Sequence, residues 1–136
     1  MSAEEEYIVV AEDSAPNRTI LVHLLKKLNY NVFDCEDGVQ AWKAMEENKD
    51  KNIVAVISDI MMPNMDGLEL LKKSREDEFY KDKPFLLVTA VSEKEYIFQA
   101  KNLNVNGYIL KPVTFQRVSK KLQELFPDRK FPKLVG

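Results

Sequence analysis

The sequence has little cysteine, no long apolar run and no excess of positive charge. Cys35 is the one cysteine among 136 residues, which excludes an internal disulfide and favours a reducing compartment. The longest apolar runs, Tyr7–Ala11 and Ile53–Ile57, fall far short of the ~18 residues that span a bilayer. The acidic start lacks the apolar segment of a secretory signal. The net charge of −2 gives no reason to expect nucleic-acid binding. We therefore expect a soluble, cytoplasmic protein without membrane insertion.

Two sequence patterns, one typical of strands and one of helices, alternate along the chain. With 45% hydrophobic and 31% charged residues the composition is that of a globular protein. Short apolar, β-branched runs are separated by longer stretches with helical spacing of leucines. Pro16 stands where a first helical turn tolerates proline, and Asp66 and Thr114 are suitable N-caps. The predicted strands lie at residues 7–11, 31–35, 53–59, 84–89 and 107–110, and the predicted helices at about 16–28, 38–48, 66–72, 93–102 and 114–126.

Five strands that alternate with five helices predict an α/β fold, a doubly wound (βα)5 unit with a five-stranded parallel sheet and helices on both faces. Right-handed crossovers leave few ways to wind such a sheet. We expect one domain over residues 7–126. Residues 1–6 are predicted to be disordered, and residues 127–136 to be a C-terminal tail or the start of a linker.

Polar side chains follow four of the five predicted strands. Glu12 and Asp13 follow the first strand, Asp59 ends the third, Thr89 ends the fourth and Lys111 follows the fifth. In an open parallel sheet, ligands bind beyond the carboxyl ends of the strands. The sequence therefore predicts that three carboxylates, a hydroxyl and an ammonium group converge at one edge.

Three adjacent carboxylates repel one another, and a shared cation is the usual remedy. Oxygen ligands without histidine or thiolate favour a hard ion, and Mg²⁺ suits a few carboxylates with waters and a phosphate. Such an ion would leave Asp59 ionised and able to act as a nucleophile. Lys111 would then be a charge partner for a phosphoryl group, and Thr89 a hydroxyl donor. This assembly describes phosphoryl transfer to a carboxylate.

At this point the chain resembles the receiver domain of two-component response regulators, in particular the free-standing chemotaxis type. The resemblance covers residues 7–126, and each of its motifs is weak alone but strong in this order. The matching residues are Glu12-Asp13, the segment Ser58-Asp59-Ile60-Met61-Met62-Pro63-Asn64-Met65-Asp66-Gly67, Thr89-Ala90, Tyr108 and Lys111-Pro112.

The resemblance implies a flavodoxin-like fold with strand order 2-1-3-4-5 and a phosphoryl group that a histidine kinase donates to Asp59. It also implies Mg²⁺ as the cofactor, held by Glu12, Asp13, Asp59 and the backbone carbonyl of Met61. Partners would be that kinase and a downstream target or output domain, without direct nucleic-acid binding.

The resemblance further assigns roles at the ends of the last two strands. Thr89 and Lys111 would hold the phosphoryl oxygens, and Tyr108 would be the aromatic switch that turns inward as Thr89 moves. The Lys111–Pro112 bond would be cis, which proline makes accessible. Enzyme activity in the ordinary sense is not implied, only self-catalysed transfer to and from Asp59.

Met61 and Val91 depart from a frequent pattern of the family. These positions, two residues after the acceptor and two after the threonine, often carry polar side chains that position the attacking water. Neither Met61 nor Val91 can orient a water by hydrogen bonding. We therefore hypothesise slow self-dephosphorylation.

The other distinctive side chains favour structural roles. His23 lies away from the strand ends and suggests no metal or catalytic role. Cys35 is interpreted as a small, semi-buried hydrophobic residue. The helical spacing of Trp42 and Met45 predicts core positions. Phe131 and Leu134 in the tail either pack onto the body or contact a partner.

The C-terminal part of the chain is basic. From Lys111 to Gly136 seven basic residues stand against two acids, 7 − 2 = +5. This excess indicates either a solvated helix face or a docking surface for an acidic partner. The second interpretation agrees with the family's use of its fourth helix, fifth strand and fifth helix for output.

Three alternative functions stay open on the sequence alone. Hydrolases that resemble the haloacid dehalogenase group need an Asp-x-Asp motif, but Asp59-Ile60-Met61 stands here. A receiver-fold binding module that takes no phosphate would not need the five polar residues to be intact. The chain could also be the N-terminal receiver of a longer regulator.

Overall fold

A computed structural model of the chain describes residues 5–90 and 94–131. The elements alternate as the sequence predicts. In chain order they are β1 (Tyr7–Ala11), α1 (Ala15–Lys27), β2 (Asn31–Cys35), α2 (Gly38–Glu47), β3 (Ile53–Asp59), α3 (Gly67–Glu76), β4 (Phe85–Thr89), α4 (Lys94–Asn102), β5 (Gly107–Leu110) and α5 (Phe115–Leu125). The predicted start of α4 at Glu93 lies outside the described residues. Within those residues, no helix has both the length and the apolar character needed to cross a bilayer.

The five strands form one parallel sheet in the order β2-β1-β3-β4-β5, which confirms the predicted fold. Buried side chains of α2, α3 and α4 pack on one face of the sheet. Buried side chains of α1 and α5 pack on the other. Because β1 and β3 are neighbours, the segments that follow them leave the sheet side by side.

The strands at the centre of the sheet are buried on both faces. All five residues of β4 are buried, as are six of the seven in β3, which matches their continuous apolar sequences. Met45 is fully buried as predicted, whereas Trp42 is only half-buried. Trp42 packs against the core cluster that contains Met45 but lies at its margin. The Nζ atom of Lys73 lies 5.3 Å from its ring centroid.

Side-chain caps fix the start of four helices. Asp66 accepts a hydrogen bond from the Glu69 amide and forms a capping box with that residue, and Thr114 accepts one from the Arg117 amide. Both caps were predicted. Ser14 and Asp37 cap α1 and α2 in the same way. Each cap places the first turn of a helix just beyond the carboxyl edge of the sheet, where the predicted site lies.

The segments before β1 and after α5 meet at the opposite edge of the sheet. Arg129 forms an ion pair with Glu6 at 2.6 Å, and its guanidinium lies over the rings of Tyr30 and Phe131, 4.0 and 4.8 Å from their centroids. Phe131 thus packs onto the body of the protein. Glu6, expected to be disordered, is held by this contact, while residues 1–4 and Leu134 lie outside the described residues.

Gly67 lets α3 begin in contact with the end of β3. Its amide donates to the Ile60 carbonyl at 2.8 Å, and a Cβ atom at this position would overlap the Asp59 carbonyl oxygen. We expect Gly67→Ala to lower the free energy of unfolding by at least the ~1–3 kcal/mol typical of overpacking, because the obstructing atom belongs to the backbone. Urea unfolding measures this change.

Gly107→Ala is the matched control. A Cβ at that position would approach side-chain atoms alone, the closest being Leu86 Cδ2 at 3.2 Å and Lys121 Cδ at 3.7 Å, and alanine suits a strand better than glycine does. Equal losses of stability in the two variants would contradict the argument from close approach.

Candidate functional site

Three carboxylates meet at the carboxyl edge of the sheet. Glu12 and Asp13 follow β1, and Asp59 is the last residue of β3. One carboxylate oxygen from each lies within 4.8 Å of those of the other two. Glu12 and Asp59 are 4% and 5% exposed, whereas Asp13 is open to solvent. The convergence expected from strand order is therefore present in the structure.

Lys111 brings a positive charge to this cluster. Its Nζ atom lies 3.1 Å from both Oδ1 and Oδ2 of Asp59. Asp59 Oδ1 also accepts a hydrogen bond from the Ile60 amide at 2.9 Å. These contacts fix the orientation of the Asp59 carboxylate. A single ammonium group balances only part of the charge that three carboxylates carry when ionised.

Glu12 is the least satisfied member of the cluster. Its Oε2 atom is buried and has no hydrogen-bond partner among the described residues. Burial, together with hydrogen bonding to Asp59 and its negative charge, raises the pKa of Glu12 to about 8, against the opposing effects of Lys111 and Asn17. Crowded oxygen donors with one buried oxygen unpaired fit a hard divalent cation. Glu12, Asp13 and Asp59 could hold it.

The hydroxyl groups of Thr89 and Tyr108 point to backbone carbonyls. Thr89 is fully buried at the end of β4, and its Oγ1 donates to the Ala90 carbonyl at 3.1 Å. Tyr108 is half-buried on β5 and donates to the Ile97 carbonyl of α4 at 3.0 Å. Tyr108 thus connects the sheet to α4 in this conformation.

The segment after Asp59 exposes an apolar side chain. Met61 is 52% exposed, and its thioether is a poor hydrogen-bond partner for water. The metal-binding role of its carbonyl stays a prediction. Val91, the second apolar position named from the sequence, lies outside the described residues. The Lys111–Pro112 peptide bond is cis, as predicted.

An open cleft of about 430 Å³ lies beside the acceptor and was not predicted. Its lining combines polar residues, among them Asn17, with apolar ones. The lining residues are Ala11, Glu12, Asn17, Ile20, Leu21, Asp59, Val88, Lys111, Pro112 and Val113. Asn17 could have been found from its place one residue after Pro16, in the helical turn that faces the acidic edge.

A family model described as the response regulator receiver domain matches residues 8–123. The chain belongs to this family.

Relatives of this receiver domain agree with the assignment. A chemotaxis protein CheY homolog of Campylobacter jejuni is 37% identical over 119 residues, covering 87% of this chain and 90% of that protein. Chemotaxis protein CheY1 of Helicobacter pylori is 37% identical over 117 residues, covering 85% and 93%. A crystal structure of Vibrio cholerae CheY4 superimposes with a TM-score of 0.80 at 28% identity, covering 90% of this chain and 98% of that one.

Family membership establishes the general function. Receiver domains are the phosphorylation switches of two-component signalling, and those of the CheY type consist of a single domain. They are signalling proteins and are not generally classed as enzymes. The family implies a histidine kinase as phosphoryl donor and a downstream target.

The raised pKa of Glu12 predicts an unusual pH dependence of stability in the absence of a divalent cation. Between pH 4.5 and about 8 the folded protein retains a proton on Glu12 that the unfolded chain has released. The free energy of unfolding should therefore fall as pH rises through this window. Urea titrations at a series of pH values, with a chelator present, measure this slope.

Glu12→Gln removes the titrating group with little change in shape and should flatten the profile. If the wild type and this variant lost stability equally between pH 4.5 and 8, burial of Glu12 would not be the cause.

Proposed function

We propose that Asp59 is the phosphoryl acceptor of this receiver domain and that Mg²⁺ is its cofactor. The observation that carries the proposal is the contact of both Asp59 carboxylate oxygens with Lys111 Nζ at 3.1 Å, inside a cluster with two further carboxylates. A buried carboxylate so placed is held in one orientation and lines the cleft.

Glu12, Asp13, Asp59 and the backbone carbonyl of Met61 would hold the ion. When bound, Mg²⁺ supplies positive charge that offsets the carboxylates and the oxygens of an incoming phosphoryl group. The unpaired Oε2 atom of Glu12 supports this assignment. A ligand for that atom would remove the cost of a buried unsatisfied oxygen.

Phosphoryl transfer then needs little from the protein beyond position and charge. An Asp59 oxygen forms the bond to phosphorus while the bond from phosphorus to the donor breaks, and the electron pair of that bond leaves with the donor. Lys111 already contacts both oxygens of Asp59. Its ammonium group is therefore within a small movement of the phosphoryl oxygens, where it would stabilise their charge.

The switch would act through Thr89 and Tyr108. In the described conformation the Thr89 hydroxyl donates to Ala90 and the Tyr108 hydroxyl to Ile97. We propose that the phosphoryl group attracts the Thr89 hydroxyl, and that Tyr108 then turns into the space which opens. The phosphoryl group would shift the population between two states of the domain, since each state forms a different set of hydrogen bonds.

The output surface would be formed by α4, β5 and α5. Phe98 on α4 is 69% exposed and Leu110 on β5 is 43% exposed, so this surface offers apolar contacts to a partner. Much of the basic excess near the C-terminus is used within the protein. Lys121 pairs with Glu124, and Arg117 donates to the Leu110 and Pro112 carbonyls. These contacts favour an apolar contact with the target over a purely electrostatic one.

Incubation with Mg²⁺ and a small acyl-phosphate donor should add one phosphoryl group to the protein, as intact-mass analysis would show. Asp59→Asn should gain none, because an amide cannot act as the nucleophile. Lys111→Ala should be phosphorylated more slowly, because the transferring group loses its charge partner.

Asp50→Asn, which changes an exposed carboxylate at the opposite edge, is the matched control and should be phosphorylated like the wild type. A chelator should prevent the mass gain. Phosphorylation of Asp59→Asn, or a wild-type reaction indifferent to the chelator, would refute the proposed site.

Met61→Asn should shorten the lifetime of the phosphorylated protein. An asparagine at this exposed position can hydrogen-bond the attacking water, and one such bond of ~1 kcal/mol corresponds to about a fivefold faster hydrolysis. Loss of the phosphoryl mass over time, after removal of the donor, measures the lifetime.

Phe79→Asn makes the same kind of change at a residue that is 45% exposed and lies in the connection leading to β4, at the opposite edge. It should leave the lifetime unchanged. The hypothesis is that hydrolysis is slow because Met61 cannot orient the attacking water. A lifetime in Met61→Asn equal to or longer than that of the wild type would count against it.

A further inference from the structure

The connection between β2 and α2 contacts both segments that carry the acidic cluster, although it contributes no residue to that cluster. We call residues 35–38 the β2–α2 corner. On one side the Cys35 carbonyl accepts a hydrogen bond from the Glu12 amide at 3.1 Å. On the other side the Gly38 amide donates to the Met65 carbonyl at 3.1 Å. The corner therefore bridges the segment after β1 and the loop after β3.

Asp37 makes the side-chain contact of this bridge. Its Oδ1 accepts from the Gln40 amide and caps α2, and its Oδ2 accepts from Asn64 Nδ2, both at 2.8 Å. The hydrogen bonds from Gln40 and Asn64 hold the pKa of Asp37 below its usual range. The residue is 8% exposed. One oxygen of the Asp37 carboxylate is thus bonded to α2 and the other to the loop after β3.

Asn64 lies in the middle of the loop from residue 60 to residue 66, which connects β3 to α3. It adopts a left-handed conformation with φ 69°, which asparagine tolerates better than most residues. The ends of the loop are already fixed, since the Gly67 amide donates to the Ile60 carbonyl at 2.8 Å. The bond to Asp37 fixes the middle.

The segment after β1 is fixed to the same region from the other side. Arg18 donates to the Glu12 carbonyl at 2.8 Å and pairs with Asp34 of β2 at 2.8 Å. The backbone at Glu12 is thereby held against the end of β2. The segment after β1 and the loop after β3 are therefore both held by the end of β2 and the β2–α2 corner.

We propose that Asp37 is a positioning residue for the acceptor site. By holding Asn64, it keeps the loop after Asp59 at a fixed distance from Glu12 and Asp13, so that the cation site is formed before the ion arrives. This inference rests on the proposed function of Asp59 and its neighbours.

The bridge needs two polar atoms on one side chain at position 37. Serine is also a good N-cap, but its short side chain carries a single hydroxyl. It can cap α2 but does not supply the second atom that meets Asn64. Residues that orient metal ligands from outside typically matter by about 10–100-fold in affinity. A defect in the loop should therefore appear in ion binding as well as in phosphorylation.

The experiment compares Asp37→Ser, which keeps a cap for α2 but has no second atom for Asn64, with Asn64→Gly and the reciprocal double variant Asp37→Asn/Asn64→Asp. Asn64→Gly removes the side-chain bond but permits the left-handed conformation. In the double variant the amide introduced at position 37 donates to the carboxylate introduced at position 64, while its oxygen still caps α2. Asn29→Gly is the control, because Asn29 has the same φ of 69° after α1.

Three quantities are measured: the Mg²⁺ dissociation constant by calorimetry without a phosphoryl donor, the phosphorylation rate at saturating Mg²⁺, and stability by urea unfolding. Asp37→Ser and Asn64→Gly should each bind Mg²⁺ about tenfold more weakly. The double variant should return to within about twofold of the wild type. Asn29→Gly should alter stability alone.

Wild-type Mg²⁺ affinity and phosphorylation rate in both single variants would overturn the inference. So would a double variant that is stably folded but as defective as Asp37→Ser. These results differ from a failure of the proposed function, in which the wild type itself would neither bind Mg²⁺ nor take up a phosphoryl group.

Discussion

The site depends on keeping carboxylates close together where water has little access. Glu12 and Asp59 are almost fully buried, and their oxygens lie within 4.8 Å of each other and of Asp13. Burial of charge is costly unless the charge is paired. Lys111 pairs with Asp59 but leaves Glu12 with an unsatisfied oxygen and a raised pKa. Without a cation, the carboxyl edge of the sheet is therefore under electrostatic strain.

The rest of the fold supplies the rigidity that such a site needs. Two arginines join distant segments at the opposite edge, away from the acids. There Arg75 donates to four backbone carbonyls and to the Asn106 side chain, and so joins the connections that lead into β4 and β5. Arg129 joins the segment after α5 to Glu6, just before β1. These contacts help to offset the destabilising burial of carboxylates at the acidic edge.

The sequence was sufficient where local pattern and strand order determine position. Continuous apolar runs located β3 and β4, capping residues located the starts of α3 and α5, and the order of the strands brought Asp59 next to Glu12 and Asp13. Contacts between distant segments were not predictable. Asp37 meets Asn64 across 27 positions, and neither residue type nor spacing indicates that contact.

Two further limits have physical causes. Helical spacing shows which side of a helix faces the core, but not how wide the covered stripe is, so Trp42 was expected to be more buried than it is. The orphan oxygen of Glu12 follows from exact side-chain placement, which no pattern contains. The resemblance to receiver domains named Glu12, Asp13, Asp59 and Lys111, which the structure brings together, but only the structure shows that Lys111 contacts both oxygens of Asp59.

The strength of the contacts around Tyr108 is suited to a reversible change. Its hydroxyl is held by one neutral hydrogen bond to α4, which contributes roughly 0.5–1.5 kcal/mol. The amide of Lys111 donates to the Thr89 carbonyl at 2.9 Å, so the ends of β4 and β5 are joined beside the acceptor. Charge-assisted bonds from a phosphoryl group are about twice as strong as neutral ones. A phosphoryl group that gains bonds from Lys111 and Thr89 would therefore outweigh the bond that Tyr108 gives up, and its loss would restore the first state.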